Sequence, residues 1–552
     1  MSIDTNPAVT EPETVEPVHY PLSFGQEQLW FLDQLAPGEA TYNVAVAWRL
    51  RGRLDIGILR RCLDLVVARH DALRVTVRTV DESPVQMVSP PAPVDLPVVD
   101  LRGVADPEAA LLAAAEAQLV QPFNLATGPL YRFCLLHMGE NDYVFCEGYH
   151  HIVSDGWSAA VINTEITKAY RDIYQGREPS LPELERSYLE FADLQRKRLA
   201  GATLTEELDF WADKLADLPV LELPTDRPRP VGGNHPGESV ITTLPGDLRP
   251  IVQRLADQHG SSMFMVFLAA YLLVLSRYSG QQDVPIGVPM LGRMDPDLEG
   301  IVGLFINMTV LRSDLSGDPT FSELIDRVTE LNMELYEHQD VSFNQVVDRV
   351  QPIRDPDRNP LFQVGIQMLS GATSGDNLKL PELEVEYLLL PSVHSRFDTL
   401  TSIIDNGQSL RITSEYSSAL FDRWRIEAMF DHLVSVLRAA DAAPDQRISQ
   451  ISLLSPGETE RLLAAGQGEV VEYNQRPLHV AVAEVAAATP DAVAVVCNGV
   501  ELSYAELDRR ADRLARRLRS LGLRSQQVVA VVLERDLAAY VSMLGILKAG
   551  AT

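Results

Sequence analysis

Two adjacent histidines, His150 and His151, stand just before Asp155 and Gly156 in the run Tyr149-His150-His151-Ile152-Val153-Ser154-Asp155-Gly156-Trp157-Ser158. The run predicts the end of a strand, a short loop and the start of a helix. Strand alternation sends neighbouring side chains to opposite faces, so only one imidazole can point into a given cleft while the other packs. An imidazole so placed can assist direct attack of an amine or hydroxyl on an activated acyl group. If Asp155 starts the helix, its carboxylate caps free amides and the helix N-terminus aims positive potential toward the loop. That field, with the backbone amide of Gly156, would suit an oxyanion forming on an acyl carbon. The same residues also fit a satisfied core histidine pair beside an ordinary helix cap, and spacing alone leaves both readings open. Adjacent strand histidines diverge and no third ligand is spaced nearby, so no metal site is expected.

Other chemistries lack their residues. There is no GxSxG nucleophile elbow and no GxxxxGKS/T phosphate loop, and Cys146 reads as a small core residue within a strand. The four cysteines, Cys62, Cys134, Cys146 and Cys497, form no CxxC pair, which gives no zinc or disulfide framework and suits a reducing cytosol. With 47 Lys and Arg against 77 Asp and Glu, the net charge of −30 argues against nucleic acid or an anionic membrane as partner. Residues 1–18 hold Asp4, Glu11, Glu13 and Glu16 but no basic residue and no apolar core, unlike a secretory signal. The longest apolar run, Met263 to Leu275, is too short to span a bilayer and follows helix-capping Ser261 and Ser262, so it predicts a buried helix. A cytoplasmic protein is expected.

The elements that must position the histidines can be read around them. Tyr131 to Met138 and Tyr143 to Ile152 predict a hairpin turning at Gly139-Glu140-Asn141-Asp142. A helical stretch is expected over Tyr188 to Leu215, then a proline-stiffened connector at Leu223 to Pro230. Strands are expected at Val240 to Leu244 and Phe362 to Leu369, and a last amphipathic helix near Phe421 to Ala440. Ser503-Tyr504-Ala505-Glu506 predicts a capping box, opening a helix whose Arg509, Arg510, Arg513, Arg516 and Arg517 read as a solvated face.

The run HHIVSDGWS resembles the HHxxxDG signature of condensation domains from nonribosomal peptide synthetases. Six further stretches resemble that family's motifs in order: Leu22 to Leu35, Ala68 to Arg74, Ser187 to Gln195, Gly303 to Arg312, His338 to Val347 and Arg354 to Val364. Gln28, Val75, Val77 and Ser342 depart from the usual pattern. The resemblance implies an α/β fold of two chloramphenicol-acetyltransferase-like lobes in a V, with a central tunnel entered by two phosphopantetheine arms. It assigns the tunnel-facing, catalytic imidazole to His151 and a structural role to Asp155, held by an Arg salt bridge for which Arg293 is the first candidate and Arg69 the second. Asn307 matches a residue near the tunnel, or it fixes a loop. His150 and Trp157 belong to the motif.

The implied reaction is peptide-bond formation between a donor acyl or peptidyl thioester and an acceptor aminoacyl thioester. Both are delivered by peptidyl carrier proteins, the donor from upstream and the acceptor from downstream, and the opening run resembles the subtype joining L-configured residues. A lipid-initiating domain, an epimerisation domain and a non-catalytic recruitment module are the alternatives. Residues 476–552 resemble the start of an adjoining adenylation domain, through LSYAEL and LKAGAT, without the phosphate loop that adenylation needs. The expected organisation is therefore a tail at 1–18, lobes at 19–190 and 191–452, a linker at 453–475 and an adenylation start at 476–552, a piece cut from a longer synthetase.

Overall fold

The computed structural model describes residues 19–231, 236–352, 355, 357–370, 377–388, 390, 394–473 and 475–552. The expected tail at 1–18 lies outside them, as do Arg354 and Pro356 of the last motif. The chain divides after Glu458 into two compact units.

The first unit is mixed α/β. Its opening part runs β1 (His19–Pro21), α1 (Phe24–Leu35), β2 (Asn43–Gly52), α2 (Ile56–Arg69), β3 (Val75–Val80), β4 (Ser83–Val88), β5 (Val98–Asp100), α3 (Pro107–Leu119), β6 (Tyr131–Gly139), β7 (Asp142–His150) and α4 (Gly156–Tyr174). The expected hairpin is β6 and β7, antiparallel with Tyr131 opposite Tyr149, and Asn141 takes the left-handed turn position at φ 67°. Strand β7 stops at His150 rather than Ile152, because His151–Val153 form a 3-10 turn. Alternation along the hairpin explains the cover on each side. Phe133, Phe145 and Tyr149 meet Leu59, Leu63 and Val66 of α2 and Ile162 and Ile166 of α4. Cys134 and Cys146 meet Leu111 and Ala115 of α3, so Cys146 is a core residue.

The second part runs α5 (Tyr188–Arg198), α6 (Gly201–Lys214), β8 (Gly237–Thr243), α7 (Leu248–Gln258), α8 (Met263–Ser279), β9 (Asp283–Met290), β10 (Asn307–Asp314), α9 (Phe321–Glu337), α10 (Phe343–Val350), β11 (Val364–Ser370), β12 (Leu383–Leu388), β13 (Thr399–Asp405), β14 (Leu410–Ser417) and α11 (Arg423–Ala442). The single helix expected over Tyr188 to Leu215 is two, because the chain breaks at Leu199 and Ala200 and Gly201 sits at φ 62°. Helix α8 is capped by Ser262, ends at left-handed Gly280 and is buried along most of its length. It is a core helix. Among the described residues no single helix is long and apolar enough to cross a membrane. Ser342, a departure from the family pattern, is the N-cap of α10 and accepts the Gln345 amide.

Six strands form one sheet in the order β10-β9-β11-β13-β14-β8. The other large sheet has the order β12-β2-β7-β6-β5, so β12, which lies late in the sequence, pairs along the edge of the sheet that carries the histidines. Its register runs antiparallel from Leu383 opposite Gly52 to Leu388 opposite Ala47.

Helix α12 (Pro456–Gly466) spans the division between the units, and the second unit continues with α13 (Leu478–Ala488), the hairpin β15 (Val493–Cys497) and β16 (Val500–Ser503), α14 (Tyr504–Ser520) and α15 (Leu537–Ala549). Only half of the expected capping box forms: Ser503 accepts the Glu506 amide at 3.3 Å, but the Glu506 carboxylate turns to Arg509 and Arg510. All five arginines of the α14 run are exposed, as a solvated face requires.

Candidate active site

His150 is the last residue of β7 and is buried, its Nδ1 accepting the Ile152 amide at 3.1 Å and its ring edge-on to Phe123. Burial, and then the neighbouring His151, pull its pKa down to about 3. It packs. His151 opens the 3-10 turn, its amide donating to the Tyr42 carbonyl at 2.8 Å. The residue is partly exposed, while its Nδ1 edge is enclosed without a hydrogen bond of ordinary geometry. Burial of that edge, followed by the positive charge of Arg396, lowers its pKa to about 4 against the opposing pull of Asp155 and the backbone of His151 and Ser154. At neutral pH the ring is an uncharged acceptor.

The loop after it is held from every side. Asp155 caps α4: its Oδ1 accepts the Ser158 amide at 2.7 Å, and its Oδ2 accepts the Phe305 amide at 3.0 Å. Ser158 Oγ shares its one proton between Asp155 Oδ1 at 2.7 Å and the Gly303 carbonyl at 2.8 Å, and accepts from the Gly303 amide and from Arg293. Arg293 lies 3.4 Å from Asp155 Oδ1 with both side chains almost fully buried, donates to the Leu298 and Ile301 carbonyls, and stacks 3.9 Å over Phe305. Of the two candidate partners for Asp155, Arg293 is the one in place. Arg69 instead pairs with Glu165 at 2.9 Å, beside His70. Gly292 precedes Arg293 at φ 65°, and a Cβ there would stand 2.2 Å from the Phe305 carbonyl oxygen, so only glycine lets the two strands of this loop approach.

Two other motif stretches, and Trp157 of the histidine run itself, brace this loop and the Gly303–Phe305 segment against it. Gln26 of α1 donates to the Ile152 carbonyl at 3.1 Å. Tyr188 of α5 donates to the Leu304 carbonyl at 2.7 Å and bonds Ser23 Oγ, the cap of α1. Trp157 Nε1 donates to the Glu299 carbonyl at 2.8 Å. Asn307 spends its amide on the Gln339 and Val341 carbonyls and its oxygen on the Phe343 amide, so it fixes the loop before α10. Gly156 is exposed at the first turn of α4, and a Cβ there would meet no atom within 4 Å. The positive end of the helix is partly offset by the Asp155 carboxylate, which Arg293 in turn balances.

Sequence reasoning did not single out Ser158 or Arg396. Ser158 lies inside the histidine motif, and its spacing from Asp155 is that of a cap and its N3 residue. Arg396, just before β13, carries no local signal, because the fold and not the nearby sequence decides that its charge acts on His151. Among the described residues, no group of three or more His, Cys, Asp or Glu is arranged to hold a metal ion.

The fold is that of a chloramphenicol-acetyltransferase-like acyltransferase, with an HHxxxDG loop braced by the motifs around it. Residues 17–463 match the condensation domain family, and residues 482–552 match the AMP-binding enzyme family. The chain belongs to the condensation domain family, followed by the opening of an adenylation domain. It is 38% identical over 539 residues to one of the subunits making up the linear gramicidin synthase of Brevibacillus parabrevis, covering 96% of this chain and 7% of that protein. It is 36% identical to the phosphinothricin tripeptide synthetase PhsB of Streptomyces viridochromogenes, covering 100% of this chain and 47% of that protein. The chain thus spans less than half the length of these curated relatives. Among solved structures, the X-domain from teicoplanin biosynthesis, in complex with OxyB, is similar at 28% identity and a TM-score of 0.69, with 82% of this chain and 99% of that one covered. A holo four-domain nonribosomal peptide synthetase bound to AMP and glycine shares the fold at a TM-score of 0.82 and 24% identity, over 98% of this chain and 42% of that one.

Proposed function

We propose that this chain forms a peptide bond between two carrier-bound substrates. The amine of an acceptor aminoacyl thioester attacks the carbonyl of a donor acyl or peptidyl thioester. The donor rides on the phosphopantetheine arm of an upstream carrier protein, and the acceptor on that of a downstream carrier served by the adjoining adenylation domain. The two lobes are 19–190 and 191–452, with the arms meeting at His151 between them. The L-configured subtype rests on the opening run Ser23 to Leu35.

One observation carries this reading. In the HHxxxDG run, His150, Asp155, Trp157 and Ser158 are each committed to holding the loop, which leaves the open edge of His151 and the start of α4 at Gly156 free for substrate. The low proton affinity of His151 defines what it can do. A free α-amine has a pKa of roughly 7.7 to 8.0, so on the order of a tenth of it is neutral at pH 7. Transfer of a proton from the ammonium form to a ring of pKa about 4 would cost roughly 5 kcal/mol, so His151 does not deprotonate the amine before attack. It accepts a hydrogen bond from the neutral amine, orients it, and takes the proton as the carbon–nitrogen bond forms and the nitrogen becomes acidic. The Gly156 amide at the helix start faces the developing oxyanion. General-base assistance of this kind contributes typically about 10²- to 10⁴-fold.

The test is intact-mass analysis of donor and acceptor carriers after mixing with the full chain. Acyl transfer onto the acceptor amine by the wild type, and a loss of about 10²-fold or more in His151→Ala with an unchanged melting temperature, are expected. Near-normal transfer by His151→Ala would sink the assignment. The mass gained by the acceptor also separates a peptidyl donor from a fatty-acyl one.

A further inference from the structure

A cavity of about 300 Å³ lies where the end of α2 meets the chain entering α5 and the Ile301–Val302 segment. That is the lower end of the roughly 300–1,000 Å³ typical of ligand sites. The most buried polar residue on its lining is His70, 2% exposed, whose Nε2 meets Glu165 Oε2 at 2.9 Å. Arg69 Nε holds the other oxygen of that carboxylate at 2.9 Å. Because the carboxylate accepts, His70 donates from Nε2, and its Nδ1 is left as an enclosed acceptor without a hydrogen bond. The chain entering α5 adds two side chains of opposite charge. Glu185 is exposed and makes no hydrogen bond or ion pair with any described residue. Arg186 comes no nearer to a carboxylate than 3.7 Å, that of Asp297. The remaining carboxylates on the lining are occupied, Asp71 by Arg74 and Glu190 by the Ser187 amide at 2.8 Å within the cap of α5.

The uncommitted groups define what can fill this space. A ligand of one sign would set a like charge against either Arg186 or Glu185, whereas a ligand carrying both signs meets each with its opposite. A buried acceptor without a donor, as at His70, is costly and adds a demand for an N–H. We propose that the cavity binds a free α-amino acid. Its carboxylate lies on Arg186 and on the guanidinium nitrogen of Arg69 that neither Glu165 nor the Pro182 carbonyl uses, and its ammonium lies on Glu185 and His70 Nδ1. No bond forms or breaks, so the site is one of recognition. Two residues on its lining reach the histidine loop: Ile301 accepts from Arg293, the partner of Asp155, at 2.8 Å, and Tyr188 donates to Leu304. An occupied cavity therefore buttresses the segment that holds Asp155, and the ligand stabilises the folded chain by mass action.

The test is isothermal titration of the full chain with the free proteinogenic amino acids, one at a time. Inorganic phosphate and the N-acetyl and amide forms of the tightest binder serve as controls. Saturable binding of at least one amino acid is expected, with affinity lower by about tenfold or more in Arg186→Ala and in Glu185→Gln, as when one charge-assisted hydrogen bond is lost. The blocked forms, each lacking one charge, should fall by at least as much. Without ligand both variants should melt with wild type, and the bound amino acid should raise the melting temperature of the wild type. Absence of saturable heat with every amino acid would overturn the proposal. So would an affinity unchanged in either variant, which would place the ligand elsewhere, or equal binding of phosphate or of a blocked form. The measurement uses no carrier, so its failure leaves the acyl-transfer reading standing.

Discussion

At the scale of single residues, the site divides into groups that are spent on structure and groups that are free. Glu147, on the strand that ends in His150, is fully buried and accepts from Trp48 Nε1 at 2.8 Å and from the Tyr149 hydroxyl at 2.7 Å. Burial outweighs these bonds and raises its pKa to about 7. A carboxyl whose folded pKa is raised stabilises the fold fully below its unfolded value and loses that contribution as pH rises through the folded one. Wild type should therefore lose stability between about pH 4.5 and pH 7 at this position, by up to about 3 kcal/mol. Glu147→Gln should flatten that slope and melt no lower than wild type at pH 8, as thermal denaturation across the range would report. The motif run made the two histidines visible at once, since strand alternation separates a packing ring from an exposed one. The run could not reveal Arg396, because nothing in sequence says which distant loop a sheet will deliver.

At the scale of elements, the brace around Asp155 explains why widely spaced motifs read as one signature. Ser23 caps α1 and bonds Tyr188 of α5, Tyr188 holds the Leu304 carbonyl, and the Gly303 and Phe305 amides close on Ser158 and Asp155. Four of the seven motif stretches, those holding Ser23, Asp155, Tyr188 and Gly303, are joined in this chain of hydrogen bonds. Breaking a buried ion pair by removing one partner costs about 3–5 kcal/mol, because it strands the other charge. Asp155→Ala should therefore lower the melting temperature as well as the transfer rate, and Asp155→Ala with Arg293→Met should recover stability while transfer stays impaired. Lost activity at an unchanged melting temperature would give Asp155 a direct chemical role instead. Alternation and turn residues made the hairpin and α8 legible from sequence, whereas the break between α5 and α6 was not. Both sides of Gly201 carry good helix formers, and burial of Leu199 decides the geometry there. The half-formed box at Ser503 has a similar cause: Arg509 and Arg510 compete for the glutamate that would complete it.

At the scale of the whole chain, the net charge of −30 bears on carrier docking. Carriers that are themselves acidic would approach against an unfavourable field, so encounter depends on local basic or apolar patches. The pairing of β12 with β2 could not be read from sequence, since a strand's partner is set by topology and not by its own pattern. That pairing has a practical meaning for anyone recombining synthetases. A chimera that joins the first part of this chain to the second part of a relative inherits a foreign edge strand, and a first part expressed alone ends with the main-chain groups of β2 unpaired along Ala47 to Gly52. We expect residues 19–190 alone to be recovered as aggregates, and to become monomeric when a peptide bearing 383–388 is fused in register, with size-exclusion chromatography as the readout. The seam for exchanging specificity should then follow the strand ladder rather than the linear order of the chain.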